Sequence, residues 1–448
     1  MLQKLSIPAI CSFLFLCVTG YGQGSFRLPE GKKHLKIPVE ISNNLMIVPV
    51  SVNGTPLSFL LDTGVKSNVI FNVGDFQNLK LHSQQTITLS GAGTGESAEA
   101  IISRNNVISI GSSTAISQTI YFIHDERYNF SPRLGKEVHG IIGYELFKDF
   151  VVELNYDRSY VKLYDREWYN KKPCRSCLVK DIRLVAGKPY TDVAVTTTQG
   201  EIEGLNMLLD SGSGDAVWLF EDSHKRLKIE VPNFDDFLGL GLNGEVHGKR
   251  AKLDNVDLGG IALNDVTVAY PDSLSTKDMR LKRNGRNGSV GAEILRRFTV
   301  VLDYESGTAI FRKNRDFDNP FRYNRSGLIV SHSGYDLVKE IADNIVEDLP
   351  DDSALFEDDT PVFAAVKTIQ FTLRRNYEIA EIREDSPAAK AGLQVGDMIL
   401  KINGKNTANL ELADITKHFF KDEGYRLRLK VARDGVVLNY KLKLKRLL

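Results

Sequence analysis

The chain has 448 residues, of which 42% are hydrophobic and 25% are charged. This is the composition of an ordinary globular protein, and it excludes a disordered or fibrous chain. The length is sufficient for about three domains. Lys plus Arg and Asp plus Glu each number 57, so no net basic charge is present to attract a phosphate backbone. We therefore expect no nucleic-acid partner.

The N-terminus has the layout of a cleavable secretory signal. Lys4 precedes an apolar stretch at 7–18 and a run of mostly small residues at 19–22, so we expect residues 1–22 to be a signal peptide. The apolar stretch is short for a membrane span, although an uncleaved N-terminal anchor is the alternative. The mature chain is then expected to have no membrane span. We predict an exported protein, periplasmic or extracellular, of a bacterial envelope.

Two of the four cysteines, Cys11 and Cys17, lie in the signal segment. The other two, Cys174 and Cys177, form a Cys-Arg-Ser-Cys sequence. In an exported chain this pair can close a small local disulfide, and a structural role or free thiols are favoured over a redox-active site. The eight histidines show no clustering with zinc-ligand spacing, so no metal site is expected.

The sequence contains an internal repeat. Residues 59–64, Phe-Leu-Leu-Asp-Thr-Gly, recur at 207–212 as Met-Leu-Leu-Asp-Ser-Gly, and the aspartates at 62 and 210 are 148 positions apart. The same offset relates three further pairs of segments, namely 91–93 with 239–241, 140–143 with 288–291, and 150–156 with 298–304. A constant offset at four landmarks indicates a duplicated domain.

Both copies are predicted to be mainly β. Runs of Val, Ile and Leu alternate with Asn-Gly and other glycine-containing turns. Helical patterns are scarce, with 145–150 and 293–298 as short candidates. We place the first lobe at 36–170 and the second at 178–315.

The repeated tripeptides Asp62-Thr63-Gly64 and Asp210-Ser211-Gly212 are the candidate catalytic elements. One such tripeptide is weak evidence, because it also forms an ordinary Asx turn. Here each follows an apolar run, which places the aspartate at the end of a buried strand, where an unused carboxylate is costly. Two carboxylates within hydrogen-bonding reach share a proton, so that one activates water while the other polarises a carbonyl. This chemistry needs no cofactor and no metal.

The neighbouring residues suit a dyad shared by two lobes. The hydroxyls of Thr63 and Ser211 are expected to bond across the junction between the lobes, while Gly64 and Gly212 leave space beside the carboxyl groups. Two glycine-rich segments are expected to form hairpin tips that close over a substrate, with plain surface turns as the alternative. The candidate flap residues are Gly91, Gly93 and Gly95 in the first lobe and Gly239, Gly241 and Gly244 in the second.

The two halves of the dyad are not equivalent. Val65 follows the first motif, whereas Ser213 follows the second and can donate a hydrogen bond to Asp210. We hypothesise that Asp62 therefore holds the shared proton.

Residues 36–315 resemble a bilobal aspartic protease of the retropepsin and pepsin type, and look like a fused duplication of a retropepsin-like lobe. Besides the two Asp-Thr/Ser-Gly motifs, Ile141-Ile142-Gly143 and Ser289-Val290-Gly291 match the family's strand over which the catalytic loop threads. The resemblance implies two β-barrel lobes and an aspartic endopeptidase that acts on peptide or protein substrates. Asp62 and Asp210 are then its catalytic pair.

The pattern changes after residue 315. Residues 347–359 contain seven acidic residues and no Lys or Arg, and a plausible amphipathic helix is predicted over 335–349. We interpret about 335–360 as a solvated acidic insertion, with a regulatory acidic arm as the alternative.

Residues 322–448 are predicted to form an α+β domain that resembles a bacterial-type PDZ domain. The resemblance rests on Ser386-Pro-Ala-Ala-Lys-Ala-Gly-Leu393 and on Gly396-Asp-Met-Ile399. It implies a domain that captures a peptide segment or terminus as an added strand. Residues 325–330 and 377–382 are expected strands, followed by a helix over 410–420 and strands over 426–431 and 436–444. Tyr377, Ile379, Leu412 and Ile415 are the candidate peptide-binding residues.

No Gly-Leu-Gly-Phe-like carboxylate loop precedes Tyr377, so recognition of free C-termini stays open. For the whole chain we predict an aspartic endopeptidase with a peptide-holding PDZ-like domain. The rival is a catalytically silent, protease-like scaffold of the cell envelope that binds peptides.

Overall fold

The computed structural model describes residues 24–71, 79–89, 98–123, 128–169, 174–241, 244–273, 285–346 and 364–448. The predicted signal peptide at 1–22, the first candidate flap with Gly91, Gly93 and Gly95, and the acidic run at 347–359 lie outside the described residues. The described chain is mainly β, as predicted, with short helices.

The first copy of the repeat contains eleven strands and two α-helices within the described residues. They are β1 (His34–Pro38), β2 (Glu40–Ser42), β3 (Leu45–Val52), β4 (Thr55–Leu61), β5 (Asn68–Phe71), β6 (Gln85–Leu89), β7 (Ala98–Ile110), β8 (Ser113–Ile123), α1 (Ser131–Leu134), β9 (Gly140–Ile142), α2 (Tyr144–Phe147), β10 (Val151–Asn155) and β11 (Tyr160–Tyr164).

The second copy has the matching order of elements. Its described elements are β12 (Leu178–Asp181), β13 (Arg183–Val185), β14 (Lys188–Thr197), β15 (Gly200–Asp210), β16 (Val217–Leu219), β17 (Phe234–Gly241), β18 (Gly244–Asp257), β19 (Ala262–Pro271), β20 (Gly288–Gly291), α3 (Ala292–Leu295), β21 (Phe298–Asp303) and β22 (Thr308–Lys313). A disulfide joins Cys174 and Cys177 in the segment between the two copies.

The duplication is visible in the strand order. Lobe 1 has the sheet order β2-β3-β4-β9-β5-β8-β7-β6, and lobe 2 has β13-β14-β15-β20-β16-β19-β18-β17. In both lobes the strand that leads to the aspartate runs parallel to the later glycine-containing strand, with Phe59 opposite Gly140 and Met207 opposite Gly288. These pairs are again 148 positions apart. A third sheet, β1-β11-β10-β21-β22-β12, takes strands from both copies and joins the lobes.

The apolar runs of the sequence form the core between these sheets. Leu61, Leu209, Ile142 and Val290 are each at most 1% exposed and belong to one cluster that extends through both lobes. Burial of such side chains stabilises a fold by about 1.5–3 kcal/mol each. The two aspartates therefore emerge from strands that are fixed by the core.

The C-terminal domain is a second folding unit with its own apolar core. Its elements are β23 (Leu328–Val346), β24 (Ala364–Ile382), α4 (Pro387–Lys390), β25 (Met398–Ile402), β26 (Lys405–Asn406), α5 (Leu412–Thr416), β27 (Arg426–Arg433) and β28 (Val436–Lys443). The sheet order is β23-β24-β25-β27-β28, with β26 beside β25. The strands predicted over 426–431 and 436–444 are present, and the predicted second helix is shorter than expected.

The helix predicted over 335–349 is wrong. Residues 335–346 continue β23 and pair antiparallel with 364–375 of β24, so the chain forms a long hairpin arm there. Apolar spacing in this segment is compatible with a helix, but the cross-strand partners outweigh local propensity. In the described part of the chain, no helix is long and apolar enough to cross a membrane.

Candidate active site

The two aspartates lie at equivalent strand ends. Asp62 follows β4 directly, and its N–H donates to the Ile142 carbonyl at 2.9 Å, while Asp210 is the last residue of β15. The loop after each aspartate passes close to the glycine that ends the neighbouring strand. A Cβ atom on Gly143 would lie 2.2 Å from the Val65 carbonyl oxygen, and one on Gly291 would lie 2.2 Å from that of Asp215. Both positions therefore require glycine.

Thr63 and Ser211 link the two loops across the lobe junction. The Thr63 hydroxyl donates to the Leu209 carbonyl at 2.6 Å, and the Ser211 hydroxyl donates to the Leu61 carbonyl at 2.8 Å. Each hydroxyl oxygen also accepts the backbone N–H of the other residue at 3.0 Å. All four bonds are buried. The network holds the ends of β4 and β15 at a fixed separation.

This arrangement brings the carboxyl groups of Asp62 and Asp210 within hydrogen-bonding reach of each other. Positions 64 and 212 require glycine because a side chain there would collide with the carboxyl groups. A Cβ atom on Gly212 would lie 2.2 Å from Oδ2 of Asp62, and one on Gly64 would lie 2.9 Å from Oδ1 of Asp210. Both glycines have backbone angles outside the left-handed region, so space alone explains them.

The two aspartates differ in their electrostatic environment. Burial, followed by the charge of Asp210, raises the pKa of Asp62 to about 7, although the Gly64 N–H donates to its Oδ1 at 2.6 Å and Lys188 acts in the opposite direction. On the other side, a guanidinium nitrogen of Arg286 lies 3.7 Å from Oδ2 of Asp210. The pKa of Asp62 is thus raised, and a cation lies beside the carboxyl group of Asp210.

The source of this asymmetry differs from the sequence hypothesis. Among the described residues, the Ser213 hydroxyl makes no hydrogen bond to Asp210. Arg286 supplies the nearby cation instead, held by a 2.9 Å bond from its Nε to the Gly288 carbonyl and by the Phe220 ring. Sequence reasoning missed Arg286, because the repeat offers no signal for it. The position 148 residues earlier is Val138.

Two tyrosines, also related by the repeat, lie close to the dyad. Tyr156 and Tyr304 are each 4% exposed, and within the described residues their hydroxyls have no hydrogen-bond partner. Burial raises the pKa of both phenols, and the carboxyl charges of Asp62 and Asp210 add to the effect. These two rings bury part of the surroundings of the dyad in the core.

A cleft of about 960 Å³ opens over the dyad. Its walls are largely apolar, with Leu60, Ile141, Tyr190 and Trp218 among the lining residues. The candidate flap of lobe 2 is the hairpin of β17 and β18. Its residues Gly239 and Gly241 line the cleft, and Gly244 begins the returning strand. A largely apolar cleft over a carboxyl pair can hold a peptide chain against the dyad.

The candidate peptide-binding residues of the C-terminal domain are not in a groove. Tyr377, Ile379, Leu412 and Ile415 are at most 4% exposed and form part of that domain's core. These side chains therefore pack inside the domain, and the sheet order shows why for two of them. Tyr377 and Ile379 lie on β24, an inner strand between β23 and β25. Only an edge strand can accept a further strand, and the edge strands of this sheet order are β23 and β28.

Comparison with known families agrees with the two resemblances. Residues 48–146 and 193–293 match the family model described as aspartyl protease, one segment on each copy of the repeat. Residues 378–433 match the model of a PDZ domain. No curated protein gives a significant match to the sequence.

Proposed function

We propose that this chain, a duplicated aspartyl protease body followed by a PDZ domain, is an endopeptidase that hydrolyses peptide bonds. Asp62 and Asp210 are its acid and base. The observation that carries the proposal is the meeting of the two carboxyl groups under a cleft, with the proton favoured on one and a cation beside the other. No packing benefit accounts for a buried carboxylate pair.

The reaction uses the dyad as a proton carrier. Ionised Asp210 takes a proton from a water molecule, and that water attacks the peptide carbonyl carbon. Protonated Asp62 donates a hydrogen bond to the carbonyl oxygen, which supports the negative charge that develops there. When the tetrahedral species collapses, the carbon–nitrogen bond breaks and a carboxyl proton passes to the leaving amine. No covalent enzyme intermediate is formed.

The substrates are peptides or proteins in an extended conformation, since the cleft is lined by apolar side chains. The PDZ domain supplies a second place at which a peptide segment can bind. The sequence layout of residues 1–22 supports export, so we propose exported or envelope proteins as the substrates.

The direct test is cleavage of a diverse peptide library by the mature chain over a range of pH. Asp62→Asn and Asp210→Asn are expected to lose cleavage, whereas Asp265→Asn, at an exposed carboxylate, is expected to keep it. Activity should fall as the pH rises through about 7, because Asp62 then loses the proton that it donates to the carbonyl. A statine-type inhibitor, which imitates the tetrahedral species, should block cleavage.

The scaffold alternative gives a different result in the same assay. A silent scaffold would bind peptides without cutting them, and the two dyad variants would bind as the unaltered chain does. Equal cleavage by the unaltered chain and by both variants would refute the dyad.

A further inference from the structure

The cleft over the dyad does not end at the protease lobes. It continues to the PDZ domain, where it is lined by residues of β23 and by residues in and directly after α5. These residues are Leu328, Ile329, Val330, Thr416, Phe419 and Phe420. The dyad and this part of the PDZ domain therefore face a single cavity.

The lining residues belong to the edge of the PDZ sheet that can accept a peptide. In the described chain, β23 pairs with β24 on one side and with no strand on the other. Gly135 of lobe 1 packs against Leu412 at the start of α5. The approach is so close that a Cβ atom added to Gly135 would lie 2.6 Å from the Leu412 Cβ. Lobe 1 thus occupies the Leu412 end of the groove between β23 and α5. The other end, at Thr416 and Phe420, opens toward the dyad.

In the loop directly before β23, the backbone N–H groups of residues 325–328 already have partners, beginning with that of Arg325, which donates to the Phe419 carbonyl at 2.9 Å. The Asn324 side-chain oxygen accepts the N–H groups of Ser326 and Gly327 at 3.0 and 3.1 Å. The Ser326 hydroxyl donates to the same oxygen at 2.8 Å and accepts the Leu328 N–H at 3.0 Å. Successive N–H groups of this kind are what captures a carboxylate in a backbone nest. Here Asn324 and Ser326 already satisfy them.

Ion pairs fix the groove in place beside the cleft. Arg133 of lobe 1 lies 2.5 Å from Glu381 of the PDZ domain, and Lys136 lies 3.2 Å from Glu411. From lobe 2, Asp236 lies 3.5 Å from Arg383. The groove is therefore docked on the protease body by both lobes, and a chain that leaves the dyad can enter it directly.

We propose that the groove between β23 and α5 is an extension of the active-site cleft. It binds an internal, extended segment of the same polypeptide that is cut at the dyad, with an apolar side chain against the exposed ring of Phe420. It is not a receptor for free C-termini. This inference rests on the proposed function, because the bound segment is part of the substrate.

The test compares peptide libraries of two lengths that share one cleavable core. Peptides of about six residues span roughly 20 Å when extended and fill the cleft over the dyad alone, whereas peptides of about fourteen residues span roughly 46 Å and reach the groove. The long peptides are extended on either side of the core and are made with a free or an amidated C-terminus. We expect kcat/KM to be about tenfold higher for the long peptides, corresponding to about 1.4 kcal/mol, and equal for the two kinds of terminus.

Thr416→Arg places a long charged side chain in the groove at a half-buried site. The ratio of kcat/KM for the long peptides to that for the short peptides should fall toward one in this variant. Phe420→Ala, at an exposed ring, is a milder second variant that should lose part of the advantage of the long peptides. Val395→Arg adds the same charge at an exposed position of the PDZ domain, outside the cavity lining. This variant should retain the advantage of the long peptides.

Two results would overturn the proposal. One is an equal length effect in Thr416→Arg and Val395→Arg, and the other is a clear preference for the free carboxylate. Binding of fluorescently labelled long peptides to the same variants separates this proposal from the proposed function. If the chain binds these peptides but cuts none, the endopeptidase is refuted, while weaker binding by Thr416→Arg still supports the groove.

Discussion

The hydroxyl oxygen of Thr63 accepts the backbone N–H of Ser211 at 3.0 Å, and the hydroxyl oxygen of Ser211 accepts that of Thr63 at the same distance. Each hydroxyl is also a donor to a carbonyl of the opposite lobe. The two aspartates next to them are thus positioned by bonds between the lobes in addition to bonds within each lobe. Stability and catalysis should depend on the same atoms.

Thr63→Val should reduce both the stability of the fold and the rate of catalysis. Valine keeps the shape but leaves the Leu209 carbonyl and the Ser211 N–H buried without partners, which costs about 1–3 kcal/mol for each group. Thr191→Val is the matched control, because Thr191 is similarly buried. Its hydroxyl donates a hydrogen bond to the backbone carbonyl of Asp181 and, among the described residues, makes no bond between the lobes. Urea unfolding should show the larger loss for Thr63→Val, and only this variant should lose kcat. Equal losses in the two variants would contradict the role of the network.

Asp62→Asn should stabilise the folded protein at neutral pH. The folded-state pKa of Asp62, about 7, lies above the ordinary value of 3.8, so the unfolded chain releases this proton first as the pH rises. The contribution of Asp62 to stability therefore declines between about pH 4 and pH 7. Asparagine does not titrate, so the variant should gain on the order of a few kcal/mol relative to the unaltered chain at pH 7.

This gain should vanish below about pH 3, where Asp62 is protonated in both the folded and the unfolded chain. Chemical unfolding of both proteins at several pH values measures it. Asp265→Asn, at an exposed site, should show no such pH-dependent difference. A constant difference across the pH range would show that the proton is not held by Asp62.

The sequence predicts those features of the molecule that leave a pattern along the chain, and it does not predict those that depend on tertiary contacts. The duplication and its landmarks were predictable, because a constant offset and glycines such as Gly143 and Gly291 are visible along the chain. The groove was not, because the identity of the edge strand depends on sheet order. Tyr377 and Ile379 have the apolar character of a binding strand, and the pairing of β24 with β23 and β25 makes them core residues.

Arg286 illustrates a second limit. It lies in the segment between β19 and β20, and its position beside Asp210 arises from tertiary contacts with Gly288 and Phe220. By contrast, Ser213 was singled out because it follows the motif in sequence. Neighbours along the chain are not always neighbours of the carboxyl group, so the cause that the sequence suggested, a bond from Ser213 to Asp210, is wrong.

Arg286→Gln should lower kcat. The guanidinium group lies 3.7 Å from Oδ2 of Asp210 and stabilises negative charge beside the dyad, so its loss weakens the electrostatic support for the proposed reaction. Arg296→Gln is the control, because Arg296 also lines the cleft but pairs with Glu293. It should retain most of the activity. An equal loss of kcat in both variants would assign the effect to the general field of the cleft.

Arg133→Met should loosen the docking of the PDZ domain and of the lobe 2 hairpin together. Arg133 pairs with Glu381 at 2.5 Å and with Glu245 at 3.0 Å, and its guanidinium group lies 4.4 Å from the centre of the Phe237 ring. Its removal leaves Glu381 partly buried without a cation, and burial already raises the pKa of that carboxyl.

Hydrogen exchange should therefore quicken in β17 and β18 and at the start of β23 in Arg133→Met. Lys136→Met removes the neighbouring lysine, which pairs with the more exposed carboxylates of Glu40 and Glu411. Because exposed pairs contribute little, its exchange pattern should change less. If exchange quickens only in the PDZ domain of Arg133→Met, the hairpin is held by other contacts, and the two elements are not coupled through this residue.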